Sequence, residues 1–164
     1  MNIEIANLDN LTEDEKETFN RLVKKANRKS KVFKPAYRKK YFYINMYGDV
    51  CDAGYYKYTI DDRRFELGNL FETEEQAKFA VEKQKLYIEL KHYALEHNEY
   101  EIDWGDERQC KYCIILSRGK ISAADYYSVQ NLNQIYFTSE EIAQNAIKEI
   151  GEDRIKKYLF EVEE

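Results

Sequence analysis

A four-part pattern occurs twice in the chain: an aromatic strand, a glycine turn, a second strand, and an aromatic doublet that opens a helix beginning Glu-Glu. The first doublet and helix read Leu70-Phe71-Glu72-Thr73-Glu74-Glu75-Gln76-Ala77, and the second read Tyr136-Phe137-Thr138-Ser139-Glu140-Glu141-Ile142-Ala143. Upstream, Tyr41-Phe42-Tyr43-Ile44 with Gly48 and Val50 answers Tyr112-Cys113-Ile114-Ile115 with Gly119 and Ile121. The offsets differ slightly, which places the length change in a loop, where such changes are tolerated. The expected fold is therefore α+β: a duplicated β-β-β-α unit with an antiparallel sheet, helices packed on it, and an amphipathic helix in front. The corresponding division is 1–40 (helix and basic linker), 41–98 (first repeat) and 99–164 (second repeat with a C-terminal helix).

The leading helix is expected from about Thr12 to about Lys29. Thr12 and Glu15 form a capping box, and Glu13, Asp14, Glu15 and Glu17 suit the positive end of a helix dipole. Leu11, Phe19, Leu22, Val23 and Ala26 fall on one stripe. Pro35 ends this pattern, so residues 30–40 read as a basic linker. In the first repeat, Tyr41–Asn45 and Val50–Tyr56 predict a hairpin about Gly48, Asp61-Asp62-Arg63-Arg64 a solvated connection, and Leu67–Phe71 a third strand. Thr73 and Gln76 then cap a helix running to about His97. Its apolar residues fall on two lines, Ala77/Val81/Ile88/Leu95 and Phe79/Leu86/Leu90/Tyr93. One face belongs to the sheet, and the other needs the first helix, the second repeat or another subunit. Trp104 is expected to seal the junction between halves. In the second repeat, Cys110–Leu116 and Lys120–Tyr126 predict the hairpin, Gln134–Phe137 the third strand and Ser139–Ile150 the helix. Gly151 ends that helix, and a last short one covers about Asp153–Phe160.

Charge is segregated. Residues 21–40 hold ten Lys and Arg with no acid, whereas residues 41–164 hold 15 Lys and Arg against 25 Asp and Glu. Fifteen Tyr and eight Phe give the chain large surfaces that are apolar in the ring and polar at the tip. No stretch approaches the ~18 apolar residues of a membrane span, and the acidic start has no leader-like pattern. With three cysteines in strand-like sequence, the reading is a cytoplasmic protein that makes no membrane contact.

The usual ingredients of a catalytic site are scarce. Cys110-Lys111-Tyr112-Cys113 has CxxC spacing, but strand residues three apart point to opposite faces, and the set is short of four zinc ligands. His92 and His97 lie five apart on a helix, about 140° out of line. There is no Gly-x-Ser-x-Gly elbow, His-Glu-x-x-His pair or phosphate loop. The expectation is a non-enzyme with no catalytic residues, metal or cofactor.

Binding is the surviving class. One candidate set is basic, Arg28, Lys29, Lys31, Lys34, Arg38, Lys39 and Lys40, with Tyr37 as an aromatic anchor. A second is Tyr55, Tyr56 and Tyr58 beside Asp61 and Asp62. Cations interleaved with rings suit nucleic acid, whose backbone they neutralise while rings stack on bases. The same cations are also favourable at a helix C-terminus, and an acidic, tyrosine-rich body suits a basic protein partner. A homodimer through the long helix stays open as well.

Tyr41-Phe42-Tyr43-Ile44-Asn45 through Gly48-Asp49-Val50, Arg64 to Gly68-Asn69, Phe71-Glu72-Thr73-Glu74-Glu75, Ile135-Tyr136-Phe137-Thr138-Ser139-Glu140-Glu141 and Ile150-Gly151-Glu152-Asp153-Arg154-Ile155-Lys156-Lys157-Tyr158 resemble small proteins of phages and prophages of Gram-positive bacteria. The resemblance covers about residues 40–160. It implies an accessory protein acting in the bacterial host cytoplasm that binds and inhibits a host protein, above all a nucleic-acid-handling defence complex, in the manner of an anti-CRISPR. It brings no catalytic residue set. The alternative is a phage nucleic-acid-binding accessory protein using the basic segment 21–40.

Overall fold

The computed structural model describes residues 11–27, 32–126 and 130–162. The chain divides into two units, Met1–Lys34 and Pro35–Glu164. The first unit contains helix α1 (Glu13–Ala26). Thr12 and Glu15 form the expected capping box: the Glu15 amide donates to Thr12 Oγ1, and the Thr12 amide donates to Glu15 Oε2. The helix ends at Ala26, about a turn earlier than expected, and Leu22 on its apolar stripe is 55% exposed.

The second unit has mixed helix and sheet. Its first half contains β1 (Lys40–Ile44), β2 (Val50–Gly54), α2 (Thr59–Glu66) and the long α3 (Glu74–His97). Its second half contains β3 (Lys111–Ser117), β4 (Lys120–Tyr126), β5 (Tyr136–Phe137), α4 (Glu140–Ile150) and α5 (Glu152–Arg154). A single π-helical turn, Ile155–Leu159, follows, closed by Phe160 N–H donating to the Ile155 carbonyl. The expected last helix is thus split between two geometries.

Both sheets are antiparallel. β1 pairs with β2 in a hairpin, and β3 lies between β4 and β5. Beside β1, the expected third strand Leu67–Phe71 shrinks to one bridge, in which Phe42 and Phe71 exchange both backbone hydrogen bonds. Two residues further along, that edge is met by a side chain. The Asn69 carboxamide accepts from Ile44 N–H and donates to Ile44 C=O, both at 2.7 Å. On the corresponding edge of β3, Gln134 Nε2 donates to Ile114 C=O at 3.2 Å.

The expected solvated connection at Asp61–Arg64 is instead part of α2. Charge density suggested solvent, but Asp61 is 2% exposed, because its carboxylate has work inside the fold. Residues 35–40, expected in a linker, belong to the folded body. Pro35 is buried, Arg38 N–H donates to Tyr55 C=O, and Tyr55 N–H donates to Lys39 C=O, which carries pairing past the end of β2.

The two apolar lines on α3 meet different fates. Leu86, Leu90 and Tyr93 enter the main core with Ile114, Phe137, Ala143, Ala146, Ile147, Ile150 and Ile155, so the second half covers that face. Phe79, on the same line, packs against Tyr158. The other line begins buried at Ala77, faces β1 and the hairpin turn near Val81, and ends exposed at Ile88 and Leu95. Trp104, expected to seal the junction between halves, is half-buried: it meets Tyr136 edge-on at 4.8 Å and lines a cleft with Lys91, Ala94 and Leu95 of α3. No helix among the described residues is long and apolar enough to cross a membrane.

Candidate functional site

The candidate surface is built outward from the buried carboxylate of Asp61. Tyr41 Oη donates to Asp61 Oδ1 at 2.7 Å, and the amides of Tyr56 and Tyr58 donate to Oδ2 at 2.9 and 3.1 Å. Arg64 Nη1 donates to Tyr41 Oη at 2.7 Å, and its guanidinium lies 3.4 Å from the centroid of the Tyr43 ring. Burial works to raise the Asp61 pKa. The Tyr41 hydroxyl, the two amides and the Arg64 charge outweigh it and hold the carboxyl below its ordinary value. Burial, helped by the Asp61 hydrogen bond, pushes Tyr41 upward, so this tyrosine stays neutral and donating.

This arrangement sorts the second candidate set. Tyr55 and Asp61, expected as contact residues, are each 2% exposed and belong to the interior. Tyr55 Oη donates to Asp62 Oδ1 at 3.3 Å, so exposed Asp62 is engaged within the fold. Tyr56 and Tyr58 face outward. Tyr55 beside them is buried, and the Asp61 carboxylate pins the amides of both outward tyrosines.

Their rings stack, with centroids 5.7 Å apart and planes 29° from parallel. Tyr37 meets Tyr56 edge-on at 6.0 Å, and the Arg38 guanidinium lies 5.3 Å from the Tyr37 ring centroid. The fold therefore merges Tyr37 and Arg38 of the basic set with Tyr56 and Tyr58 of the tyrosine set into one platform. Exposures of 54%, 44% and 63% for Tyr37, Tyr56 and Tyr58 leave much of each side chain open to a partner. Lys39, exposed, adjoins it. Lys40 is also exposed but is paired with Asp52 at 3.4 Å and lies over the Phe42 ring. Lys34 is exposed in the first unit, and Arg28, Lys29 and Lys31 lie outside the described residues.

Three contributors went unrecognised in the sequence. Gly54 is one: a Cβ there would lie 2.8 Å from the Tyr56 ring, so the ring rests where any side chain would stand. Lys57 is another, exposed between the stacked tyrosines and in left-handed backbone at φ 60°. Arg38 shares that conformation at φ 65°. Both positions cost conformational energy in a non-glycine residue, so the surrounding fold imposes them. Arg64 is the third, and no spacing rule links it to Tyr41 and Tyr43 across α2.

The second half offers other features. Lys111 is fully buried, and its ammonium donates to the carbonyls of Asp106 and Gln109 at 2.9 Å, tying down the loop before β3. Cys113 is buried in β3, which pushes its thiol up to about 11, while Cys110 is half-buried. A cleft of about 650 Å³ opens between α3 and β5, lined by Leu90, Ile135, Phe137 and Phe160 with Lys83 at its edge, where Lys83 pairs with Glu161. His92 and His97 are exposed, and His97 stacks on Tyr93.

Comparison of the chain with protein-family models, curated proteins and solved structures finds no match.

Proposed function

We propose that the chain is a non-enzymatic phage or prophage accessory protein that binds and inhibits a bacterial host factor, foremost a nucleic-acid-handling defence complex. The carrying observation is the Tyr37–Tyr56–Tyr58 platform with Arg38 beside it. Tyrosine and arginine are the residues on which macromolecular contacts concentrate their energy. Rigid rings lose little conformational freedom on binding, and here the Asp61 carboxylate fixes the backbone beneath two of them. The origin and the inhibitory role rest on the sequence resemblance.

We also propose that residues 41–164 arose by duplication. In each half the segment before the capped helix pairs antiparallel with the first strand of the hairpin, Phe71 with Phe42 and Phe137 with Tyr112. In each half, too, a carboxamide two or three residues earlier reaches the isoleucine two positions beyond the paired strand residue. Such agreement in details with no bearing on length or composition supports common descent of the halves.

The test is expression of the chain in a bacterial host with active immunity, scored by phage plating, with capture of bound host proteins in parallel. Wild type is expected to restore plating and retain a defence component. The Tyr37→Ala/Tyr56→Ala/Tyr58→Ala variant is expected to do neither while remaining folded. Unchanged capture by that variant would remove the platform from the reading.

A further inference from the structure

We infer that the platform grips a short single-stranded stretch of nucleic acid, bases on the tyrosine rings and phosphates against Arg38, Lys39 and Lys57. The inference rests on the reading above only in taking the platform as a contact surface. It adds what is gripped: the exposed strand that a nucleic-acid-handling complex carries.

Three observations favour a strand over a protein face. The first is the ring arrangement. Tyr56 and Tyr58 already form a two-ring stack, and each base has a flat face able to extend such a stack without regard to sequence. Tyr37 stands edge-on to Tyr56, so the surface is a corner and not a plane.

The second is local charge. The chain carries a net charge of −5, yet the exposed ionisable residues adjoining the rings along the chain are Arg38, Lys39 and Lys57. The nearby acids are committed within the fold: Asp61 to Tyr41 and two amides, Asp62 to Tyr55, and Asp52 to Lys40. Cations beside stacked rings match a base flanked by phosphates, the pairing by which single strands are held without regard to sequence.

The third is backbone. Among the described residues five non-glycines have positive φ, and two of them, Arg38 and Lys57, are cations next to these rings in the chain, Arg38 with its guanidinium over Tyr37. Left-handed residues that a fold must enforce concentrate where a side chain has to be presented in a set direction.

The test is fluorescence anisotropy with labelled single-stranded oligonucleotides of about 15 residues, DNA and RNA, with a duplex control, using the full chain across a salt series. Single strands are expected to bind with weak sequence preference, better than duplex, and more weakly as salt rises. Tyr56→Ala/Tyr58→Ala is expected to lower affinity about ten-fold or more, while Tyr56→Phe is expected to keep most of it. Arg38→Ala/Lys39→Ala is expected to flatten the salt dependence by about 1.4 in logarithmic slope, roughly 0.7 for each phosphate contact to a single strand. Gly54→Ala is a second probe, because the colliding group is the far end of the exposed Tyr56 ring: the ring must shift while the fold persists, and affinity is expected to fall.

Absence of binding at about 100 μM protein and low salt, where even non-specific contacts with a Kd of about 10⁻⁴ M would register, would overturn the inference. So would binding that ignores every platform variant and vanishes on neutralising Lys29, Lys31 and Lys34. Platform-dependent capture of a host protein without oligonucleotide binding would also overturn it, leaving the proposed inhibitory role standing. Platform-dependent oligonucleotide binding with host capture indifferent to the platform would uphold the inference and remove that role.

Discussion

The two hairpins of residues 35–164 are wired alike but filled differently. Behind β1 lies a polar interior, Tyr41, Asp61 and Arg64 joined by hydrogen bonds of 2.7 Å, with Tyr43 under the guanidinium. Behind β3 lies hydrocarbon, with Ile114 and Phe137 packed on Leu86, Leu90, Ala143, Ala146, Ile147 and Ile150. The difference lies in what each kind of interior can specify. An apolar core contributes stability through area and tolerates any face-to-face packing of suitable volume. A buried polar network contributes less net stability but fixes direction, since every donor must meet its acceptor. The half that carries Tyr56 and Tyr58, with both amides bound to Asp61, is the half built on the directional kind.

That contrast breaks most readily at the hydrocarbon side. Phe137→Ala removes a fully buried ring shared by α3, β3 and α4, and is expected to cost about 3–5 kcal/mol in denaturant unfolding, with both halves losing protection together. Asp61→Ala is expected to cost about 3 kcal/mol, because it strands a tyrosine hydroxyl, two amides and a guanidinium around an empty place. Its signature differs: hydrogen exchange should rise at residues 37–66 while α4 keeps its protection. Equal loss in both halves would show that the polar interior is not a separate unit.

Acid gives a milder version of the same separation. The Asp61 carboxyl is held below its ordinary value, so its contribution is complete above the unfolded carboxylate pKa of ~3.9 and lost as pH falls through the lower folded value. Below about pH 4, exchange at residues 37–66 should therefore outpace exchange in the Ile114–Phe137 core. Smaller still is the effect at the strand edges. Asn69→Ala, which deletes two hydrogen bonds at 2.7 Å, should cost about 1–2 kcal/mol, and Gln134→Ala, which deletes one longer bond, should cost about half that.

Most of the helical frame was legible in the sequence. Thr12 and Thr73 cap the helices they were expected to cap, the helix expected from Ser139 begins at Glu140 with Ser139 as its cap, and Gly151 at φ 101° ends α4. Caps are local, so residues three apart suffice to reveal them. The interior of the first half was not legible. Asp61 sits in a run of four charged residues that looks solvated, and its partners Tyr41 and Tyr56 come from separate elements. The platform was half legible. Its aromatic members stood out by type, but the union of Tyr37 with Tyr56 depends on residues 38 and 39 pairing with Tyr55, a contact that no periodicity encodes.

The carboxamide of Asn69 has one more effect. By occupying both backbone groups of Ile44, it leaves that part of the outer edge of β1 no ladder to offer a foreign strand, and Phe71 takes the positions beside Phe42. A chain rich in aromatic strand sequence is thereby protected against templated pairing along that stretch of β1, by a plug that is one side chain long.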